Sequence, residues 1–321
     1  MLMFREEEIR AGVKLDDQAL EAVETAFRTL ATGNVSQPPV ARVDIPEENG
    51  EADIKTAYIE GFDGFAVKVS TGFFNNETYG LPSLGGLMML FSTKTGQPKA
   101  LLQDNGYLTD VRTGLAGAVA AKHLAPANVK TAGVLGTGMQ ARMQIEALQL
   151  VRSFEQVLVY GRRQEKAEAY QKEMEEKLGC PVKVVTTMEE VVKGSEVVVT
   201  TTPATAPYLK PEWLHSNLHI TAVGSDAPDK QELEVGVFEK ADIAACDVWA
   251  QSKQMGEGRA ALEAGVLHED TPLRELGAII AGLESTRSNE SAITVCDLTG
   301  TGVQDTAIAM HAYQALKKSE E

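Results

Sequence analysis

A glycine-rich turn near the middle of the chain is the segment best suited to hold a phosphorylated ligand. The turn 136–140 (Gly-Thr-Gly-Met-Gln) follows the apolar run 131–135 and precedes apolar residues at helical spacing. Gly136 permits a tight turn, Gly138 lets the backbone approach a pyrophosphate, and the small Ala141 lets the helix pack on the strand. The phosphates would then lie at the helix N-terminus, where N–H groups and the helix dipole favour negative charge. The pattern predicts a dinucleotide site formed by Gly136, Gly138, Met139 and Gln140.

The next apolar run, 156–160, is followed by Gly161, Arg162 and Arg163. In dinucleotide-binding folds the tip of this strand faces the adenosine ribose, and an acidic residue there usually binds the 2′-hydroxyl. Guanidinium groups suit a 2′-phosphate better, so the two arginines favour NADP(H). Alternatively, they only begin a solvated helix over 164–178. The sequence leaves the choice between NADH and NADPH open.

Short β-branched runs alternate with helical segments along the rest of this region. The predicted strands are 131–135, 156–160, 182–185, 196–201, 219–224 and 243–246, and the predicted helices include 164–178, 188–193 and 232–239. Such alternation is typical of an α/β Rossmann fold, a doubly wound parallel sheet with helices on both faces. Ligands bind at the carboxyl ends of such strands, so we expect Thr202, Val223, Ser225 and Asp226 beside the cofactor.

The chain before this region predicts a separate α+β domain. Alternating segments at 40–45, 54–58, 64–70, 86–92 and 98–104 indicate a mostly antiparallel sheet, with helices at 16–32 and 109–124. A helix at 303–318 could return to this domain. We therefore predict a first domain at 1–120, completed by the C-terminal helix 303–321, and an NAD(P)-binding domain at 121–302; the family resemblance given below implies that the first domain binds substrate and forms the dimer.

Four basic residues of the first domain lie in or near apolar runs: Arg42, Lys55, Lys68 and Arg112. A cation on a strand costs free energy unless it is solvated or meets an anion. Each could simply lie on the outward face of its strand. Alternatively, the four converge in a cleft and hold carboxylates, for which arginine offers bidentate geometry. Spacing alone leaves both readings open.

Composition excludes several classes of protein. A net charge of −16 over 321 residues argues against nucleic acid and anionic membranes as partners. The three cysteines are scattered and the histidines lack metal spacing, so neither a disulfide framework nor a metal site is predicted. The first eight residues become acidic too soon for a signal peptide, and no apolar run is long enough to cross a bilayer. We expect a cytoplasmic protein.

Several ordered motifs together resemble the ornithine cyclodeaminase/μ-crystallin family over nearly the whole chain. They are Lys68 in its strand, Asp104 followed by 108–113 (LTDVRT), the small-residue helix 116–118, the turn 136–140, and 223–233 (VGSDAPDKQEL). The resemblance implies a substrate and dimerisation domain joined to a Rossmann domain, a nicotinamide cofactor and a homodimer.

Carried over residue by residue, the resemblance implies roles for the basic residues. Arg42, Lys68 and Arg112 would bind the substrate α-carboxylate, and Lys68 and Asp226 would be catalytic. Arg112 and Ser83 would also lie near the cofactor. Lys230 matches a residue near the dinucleotide, although a plain surface lysine is equally plausible. Asp226 could instead only cap a helix at 232.

One departure from the family pattern bears on the substrate. The ornithine-cyclising members carry a glutamate where this chain has Lys55, and that glutamate is understood to receive the substrate's distal ammonium. A lysine there should repel an ammonium and attract a carboxylate. The segments 53–58, 68–74 and 81–86 also resemble a branch that contains iminosuccinate reductases and proteins of ectoine utilisation.

The resulting hypothesis is an NAD(P)H-dependent imino-acid reductase that acts on an imino dicarboxylate, with iminosuccinate reduced to aspartate. Lys55 would hold the second carboxylate. An alternative is a cyclodeaminase that releases ammonia from ornithine or an ectoine-derived diamino acid while keeping NAD⁺ tightly bound. A third reading is a dinucleotide-binding protein with little catalysis. That reading requires the catalytic site to be incomplete.

Overall fold

A computed structural model describes residues 1–287 and 289–318. Within these residues the chain forms fifteen β-strands and eleven α-helices. The strands are β1 (Leu2–Arg5), β2 (Val35–Ser36), β3 (Ala41–Ile45), β4 (Gly50–Ile59), β5 (Gly64–Phe73), β6 (Leu84–Ser92), β7 (Pro98–Gln103), β8 (Thr131–Leu135), β9 (Gln156–Tyr160), β10 (Val182–Val184), β11 (Val197–Thr200), β12 (His219–Ala222), β13 (Ile243–Cys246), β14 (Arg274–Glu275) and β15 (Thr294–Asp297). The helices are α1 (Glu6–Gly12), α2 (Asp17–Thr32), α3 (Tyr107–Leu124), α4 (Met139–Leu148), α5 (Gln164–Leu178), α6 (Met188–Lys193), α7 (Gly236–Lys240), α8 (Trp249–Met255), α9 (Glu257–Glu263), α10 (Leu276–Ile280) and α11 (Gly302–Lys317).

The chain divides into two compact units. The first unit comprises Met1–Arg112 and the C-terminal segment that begins at Thr301, and the second comprises Thr113–Gly300. The division falls inside α3, the same helix on which the predicted boundary at residue 120 lies. Among the described residues, no helix combines the length and apolar character that a membrane crossing requires.

The first unit is built on a seven-stranded sheet in the order β1-β7-β6-β5-β4-β2, with β3 also paired to β4. The pairing is antiparallel except between β1 and β7. The mostly antiparallel sheet of the prediction is therefore present, and the early strand β1 is an element that the sequence pattern did not indicate.

Strand register places three basic residues, Arg42, Lys55 and Lys68, on one face of this sheet. Lys55 of β4 lies directly opposite Lys68 of β5. Arg42 of β3 lies opposite Asp53, which is two residues from Lys55 along β4. Because side chains alternate between the two faces of a sheet, all of these residues project from the same face.

Helix α11 covers that face by packing on β4 and β5, with α2 beside it. Almost every side chain from Gly302 to Ala312 is buried, so the helix is a core element. A side chain at Gly302 would meet the backbone oxygen of Thr56 at 2.4 Å, so only glycine lets α11 begin this close to β4. The sheet and this helix together fix the positions of the basic residues.

The second unit contains an eight-stranded parallel sheet in the order β10-β9-β8-β11-β12-β15-β13-β14. The chain runs outward from β8 to β10 on one side and from β11 onward on the other. The order therefore reverses between β8 and β11, which makes this point the topological switch of a doubly wound sheet. The predicted fold class is confirmed.

Several predicted elements differ from the structure. The helix predicted at 232–239 begins later than predicted, since α7 starts at Gly236. The carboxylates of Glu232 and Glu257 hold the preceding segment in a loop conformation by accepting hydrogen bonds from its backbone. Strand β15 and helices α8 to α10 were not predicted. Each of these elements is short, and periodicity is a weak signal over four to seven residues.

Candidate active site

A buried carboxylate holds two of the basic residues together in the first unit. Asp305 lies on the first turn of α11 and is fully buried. Its Oδ2 lies 3.0 Å from Lys68 Nζ, and its Oδ1 lies 3.0 Å from Arg112 Nε. Lys68 and Arg112 are themselves 1 % and 5 % exposed. The ion pairs compensate part of the cost of burying these charges.

Lys55 adds a third cation to this cluster. It is 8 % exposed and lies opposite Lys68 in the register of β4 and β5. Burial lowers the pKa of Lys68 to about 7; Asp305 opposes that shift, whereas Arg112 and Lys55 reinforce it. Burial alone would raise the pKa of Asp305, but Lys68, Arg112 and Lys55 outweigh it and leave the pKa low. Three cations thus act on the single carboxylate of Asp305.

A second carboxyl group, Asp104, lies near the same cluster. Its Oδ2 accepts a hydrogen bond of 2.8 Å from the backbone N–H of Leu108, at the start of α3. Burial raises the pKa of Asp104 to about 6, against the opposing effects of that hydrogen bond and of Lys68. Asp104 thereby ties the start of α3, which carries Arg112, to the end of β7.

Arg42 does not share this arrangement. Its guanidinium pairs with Asp44 at 2.8 Å, with Glu51, and with Asp53 at 3.7 Å, and its side chain is 29 % exposed. The structure therefore brings Lys55, Lys68 and Arg112 together and leaves Arg42 in a separate acidic group on the same sheet face. That Arg42 binds the substrate α-carboxylate stays a prediction.

Ser83 immediately precedes β6 and is half-buried. Its backbone carbonyl accepts a hydrogen bond of 2.7 Å from the N–H of Phe73. This contact fixes the end of the hairpin between β5 and β6, and the proximity of Ser83 to a cofactor stays a prediction.

The glycine-rich turn of the second unit has the backbone geometry that a phosphate site requires. Gly136 has φ +125°, and a Cβ there would lie 2.4 Å from Thr201 Oγ1. Gly138 is the N-cap of α4, and a Cβ there would meet no atom within 4 Å. Arg142 holds the turn by donating to the carbonyl oxygens of Thr137 and Gly138, at 2.6 and 3.1 Å. Open space at a helix N-terminus is what an approaching pyrophosphate needs.

Met139 and Gln140 open helix α4 immediately after this turn. Met139 is 47 % exposed and Gln140 is half-buried, so neither is a core residue. Their backbone N–H groups belong to the first turn of a helix, where such groups lack intrahelical partners.

Arg162 and Arg163 follow β9 directly, beside the glycine-rich turn. The N–H of Gly136 donates to the carbonyl of Tyr160 at 3.0 Å, and a Cβ on Gly161 would meet Thr137 at 2.6 Å. Both arginines are exposed, and Arg163 is the N-cap of α5. The helix 164–178 therefore begins where the sequence indicated, and the two guanidinium groups stand at its start.

The loop after β12 carries the other predicted cofactor-site residues. Val223 and Ser225 are buried, and the hydroxyl of Ser225 donates to the carbonyl of Lys230 at 2.8 Å. Lys230 Nζ lies 2.6 Å from Asp226 Oδ1, and the Asp226 side chain is 53 % exposed. Asp226 does not cap the following helix, because that helix begins at Gly236 with Val235 as its N-cap.

Glu232 organises this edge of the sheet, and sequence reasoning missed it. Its Oε2 accepts from Thr200 Oγ1 at 2.6 Å and from the N–H of Gly224 at 2.8 Å. Its Oε1 accepts from the N–H and the hydroxyl of Thr202, both at 2.7 Å, and from the Tyr208 hydroxyl at 2.6 Å. A fully buried carboxylate thus joins the ends of β11 and β12 and fixes Thr202.

Glu257 holds the other end of the same loop. Its two oxygens accept from the backbone N–H groups of Glu232 at 2.7 Å and Leu233 at 3.1 Å. Burial raises the pKa of both glutamates, most strongly that of Glu257. The loop that carries Ser225, Asp226 and Lys230 is therefore anchored at both ends by buried carboxylates.

No group of His, Cys, Asp and Glu side chains in residues 1–287 and 289–318 has an arrangement that could hold a metal ion.

Comparison with known proteins agrees with this geometry. Among the relatives is an uncharacterised cyclodeaminase of Sinorhizobium fredii, 48 % identical over 98 % of this chain and 95 % of its own. Among solved structures, an archaeal alanine dehydrogenase dimer with bound NAD superposes with a TM-score of 0.93 at 34 % identity, covering 100 % of this chain and 97 % of that one. The iminosuccinate reductase of Paracoccus denitrificans in complex with NAD⁺ superposes with a TM-score of 0.91 at 31 % identity, covering 100 % and 97 %.

A model of the ornithine cyclodeaminase/mu-crystallin family matches residues 1–320. That match spans both units, including Lys68, Arg112, the glycine-rich turn and the loop after β12. The chain belongs to the ornithine cyclodeaminase/mu-crystallin family.

Proposed function

We propose that the chain is a nicotinamide-dependent reductase of imino acids whose substrate carries two carboxylates, with iminosuccinate as the substrate and aspartate as the product. The observation that carries the proposal is the burial of Lys55 directly opposite Lys68, in a cluster that already contains Arg112. Cyclisation of a diamino acid requires a negative group to receive its distal ammonium. A buried lysine disfavours that ligand and favours a carboxylate.

The charge balance of the cluster supports a dianionic ligand. Lys55, Lys68 and Arg112 surround Asp305, and burial, reinforced by Arg112 and Lys55, lowers the pKa of Lys68 to about 7. A bound carboxylate would favour the charged form of Lys68 and raise its pKa. We assign Arg112, Lys68 and Arg42 to the α-carboxylate and Lys55 to the second carboxylate.

The second unit supplies residues suited to hold the cofactor. The open space at Gly138 and the free start of α4 fit a pyrophosphate, and Arg162 and Arg163 fit a 2′-phosphate. Thr202, Val223, Ser225 and Lys230 lie at the carboxyl edge of the sheet, where dinucleotides bind in this fold class. When bound, the reduced nicotinamide supplies the hydride.

The residues of the chain then have to orient the imine and move a proton. Hydride addition at Cα converts the protonated C=N bond into a C–N single bond, and the amine nitrogen takes up one further proton. We assign Asp226 to stabilising the iminium and to proton transfer at that nitrogen, as the family resemblance implies. Lys68, with its pKa near 7, can hold a carboxylate and exchange a proton at neutral pH.

A homodimer in the cytoplasm completes the proposal. Val43, Ile54 and Tyr58 are exposed on the sheet face opposite to Lys55. An apolar sheet face of this kind normally has a partner, and the archaeal alanine dehydrogenase is described as a dimer.

A cyclodeaminase is the second candidate, favoured by the name of the Sinorhizobium fredii relative. It would release ammonia without net consumption of the dinucleotide. Lys55 argues against it, because ornithine would bring a second ammonium to a site that already contains the cations of Lys55, Lys68 and Arg112.

The test is a substrate panel with purified protein and either NADH or NADPH. Oxaloacetate plus ammonia, which forms iminosuccinate in solution, should support rapid oxidation of the dinucleotide and accumulation of aspartate. Pyruvate plus ammonia, which offers one carboxylate, should be a poorer substrate. Rapid ammonia release from ornithine with no net dinucleotide oxidation would instead establish the cyclodeaminase.

A further inference from the structure

The side-chain amide of Gln304 lies inside the cation cluster and has one end fixed. Gln304 is fully buried on the first turn of α11, next to Asp305. Its Oε1 accepts a hydrogen bond of 2.9 Å from Arg112 Nη1. Because a guanidinium can only donate, the amide oxygen has to face Arg112 and the NH₂ group has to face away from it.

That NH₂ group has no hydrogen-bond partner among the residues that the structure describes. An unsatisfied buried donor loses its hydrogen bond to water without a replacement, so native proteins rarely tolerate one without a ligand or water. The orientation forced by Arg112 prevents the amide from avoiding this cost by turning over.

A second buried donor without a partner lies one turn earlier. Thr301 is fully buried, its hydroxyl makes no hydrogen bond in the described part of the chain, and it is the N-cap of α11. Thr301 precedes Gln304 by three residues, so both buried donors belong to the N-terminal end of α11. The N-terminus of a sixteen-residue helix adds a further preference for an anion.

We infer that Gln304 is a further substrate-binding residue, whose NH₂ group, aided by the Thr301 hydroxyl, donates to the carboxylate that Arg112 holds. The inference rests on the proposed function, since it takes the ligand of this cluster to be the substrate. Gln304 would then bridge Arg112 and the substrate: its oxygen orients the guanidinium and its nitrogen binds the same carboxylate. The arrangement favours a carboxylate whose two oxygens meet different donors.

The direct test is a crystal structure of the wild-type protein with oxidised dinucleotide and an amino acid. Crystals are soaked separately with L-aspartate, L-alanine and L-proline. In each complex that forms, Gln304 Nε2 should lie within 3.2 Å of a ligand carboxylate oxygen. A complex with L-alanine or L-proline but not L-aspartate would contradict the dicarboxylate proposal and leave this inference standing. A bound ligand that Nε2 does not touch, or no binding of any of the three, would overturn it.

Two variants separate ligand binding from support of Arg112. Gln304→Met removes both the donor and the acceptor, whereas Gln304→Glu keeps an acceptor for Arg112, removes the donor and adds a negative charge that repels a carboxylate. If Gln304 binds the ligand, both variants should raise KM for the imino acid at least tenfold, since hydrogen bonds to charged groups contribute about 1.5–3 kcal/mol. The Kd for the dinucleotide should not change.

A matched control makes this result specific. Gln314→Met is the same chemical change on an exposed residue of the same helix, and it should leave KM unchanged. Wild-type KM in Gln304→Glu, alongside a raised KM in Gln304→Met, would show that Gln304 only supports Arg112 and would contradict the inference.

Discussion

Two fully buried carboxylates, one in each unit, are stabilised by opposite means. Asp305 in the first unit is surrounded by the cations of Lys68, Arg112 and Lys55. Glu232 in the second unit is surrounded by five neutral donors from backbone N–H and hydroxyl groups. The first arrangement gathers three cations around one carboxylate, whereas in the second both carboxylate oxygens accept hydrogen bonds from neutral donors.

The difference indicates that the cluster around Asp305 is suited to binding a ligand, whereas Glu232 is suited to positioning the segments around it. The cations gathered around Asp305 are suited to attracting an anionic ligand. Glu232 is not available to bind a ligand, since both of its oxygens already accept hydrogen bonds from the protein. Its role is to fix the segments that carry Thr202, Ser225 and Asp226.

The largest effect is expected when the carboxylate of the cation cluster is removed. Asp305→Ala should lower the free energy of unfolding by about 3–5 kcal/mol, because Lys68 and Arg112 are left buried without their anion. Urea unfolding at pH 6.5 measures it. Glu189→Ala, which breaks an exposed ion pair with Lys193, should cost less than about 1 kcal/mol and serves as the control.

This destabilisation should also diminish at high pH. The pKa of Lys68 is already depressed, so above about pH 7 the lysine can lose its proton and its buried charge. A cost for Asp305→Ala that is as large at pH 9 as at pH 6.5 would contradict the assignment of an ionised cluster.

The next largest effect is expected at Glu232, whose donors are all neutral. In Glu232→Gln the new NH₂ group must face either the N–H of Gly224 or the N–H of Thr202, because each oxygen accepts from one of them. The variant should lose about 1–3 kcal/mol of stability and bind the dinucleotide more weakly. Tyr208→Phe removes one hydroxyl donor only and should cost about 0.5–1.5 kcal/mol. Equal, wild-type dinucleotide affinity in both variants would rule out a positioning role.

A smaller effect is a pH dependence confined to the cation cluster. The pKa of Lys68 is about 7, and only its protonated form attracts a carboxylate. The Kd of succinate, whose charge is constant in this range, should therefore rise about tenfold per pH unit above pH 7, equivalent to about 1.4 kcal/mol per unit. Calorimetric titration between pH 6.5 and 9 measures it. In Lys68→Arg, which stays charged, the Kd should be flat; the same slope in that variant would exclude Lys68 as its source.

The smallest effect is expected at the exposed arginines of the second unit. Replacing Arg162 and Arg163 together by alanine should weaken NADPH binding about tenfold, the loss of one solvent-exposed charge-assisted contact, and leave NADH binding unchanged. Titration of dinucleotide fluorescence measures both constants. Equal losses for the two dinucleotides would show that the arginines do not contact a 2′-phosphate.

The features that follow from local periodicity were predictable from the sequence. The strand β8, the helix over 164–178 and the positive φ at Gly136 each depend on a few neighbouring residues, and each is present. The burial of Lys55 beside Lys68 was also accessible, because strand alternation and hairpin pairing are short-range rules.

The features that depend on distant contacts were not predictable. Asp305 and Lys68 are 237 residues apart, and Glu232 meets partners up to 32 residues away. A lone carboxylate within an apolar helix gives no signal of its partner. The only sequence signal for Asp305 and Gln304 was the presence of two polar residues in an otherwise apolar first turn of α11, where burial would demand partners.

The central claim is that Lys55 selects a substrate with two carboxylates. Its most direct test is the ratio of kcat/KM for oxaloacetate plus ammonia to kcat/KM for pyruvate plus ammonia, compared between wild type, Lys55→Met and Lys55→Glu. The ratio should favour the dicarboxylate in the wild type, fall in Lys55→Met, and fall by roughly a hundredfold or more in Lys55→Glu, where attraction becomes repulsion. The same ratio in all three proteins would contradict the claim.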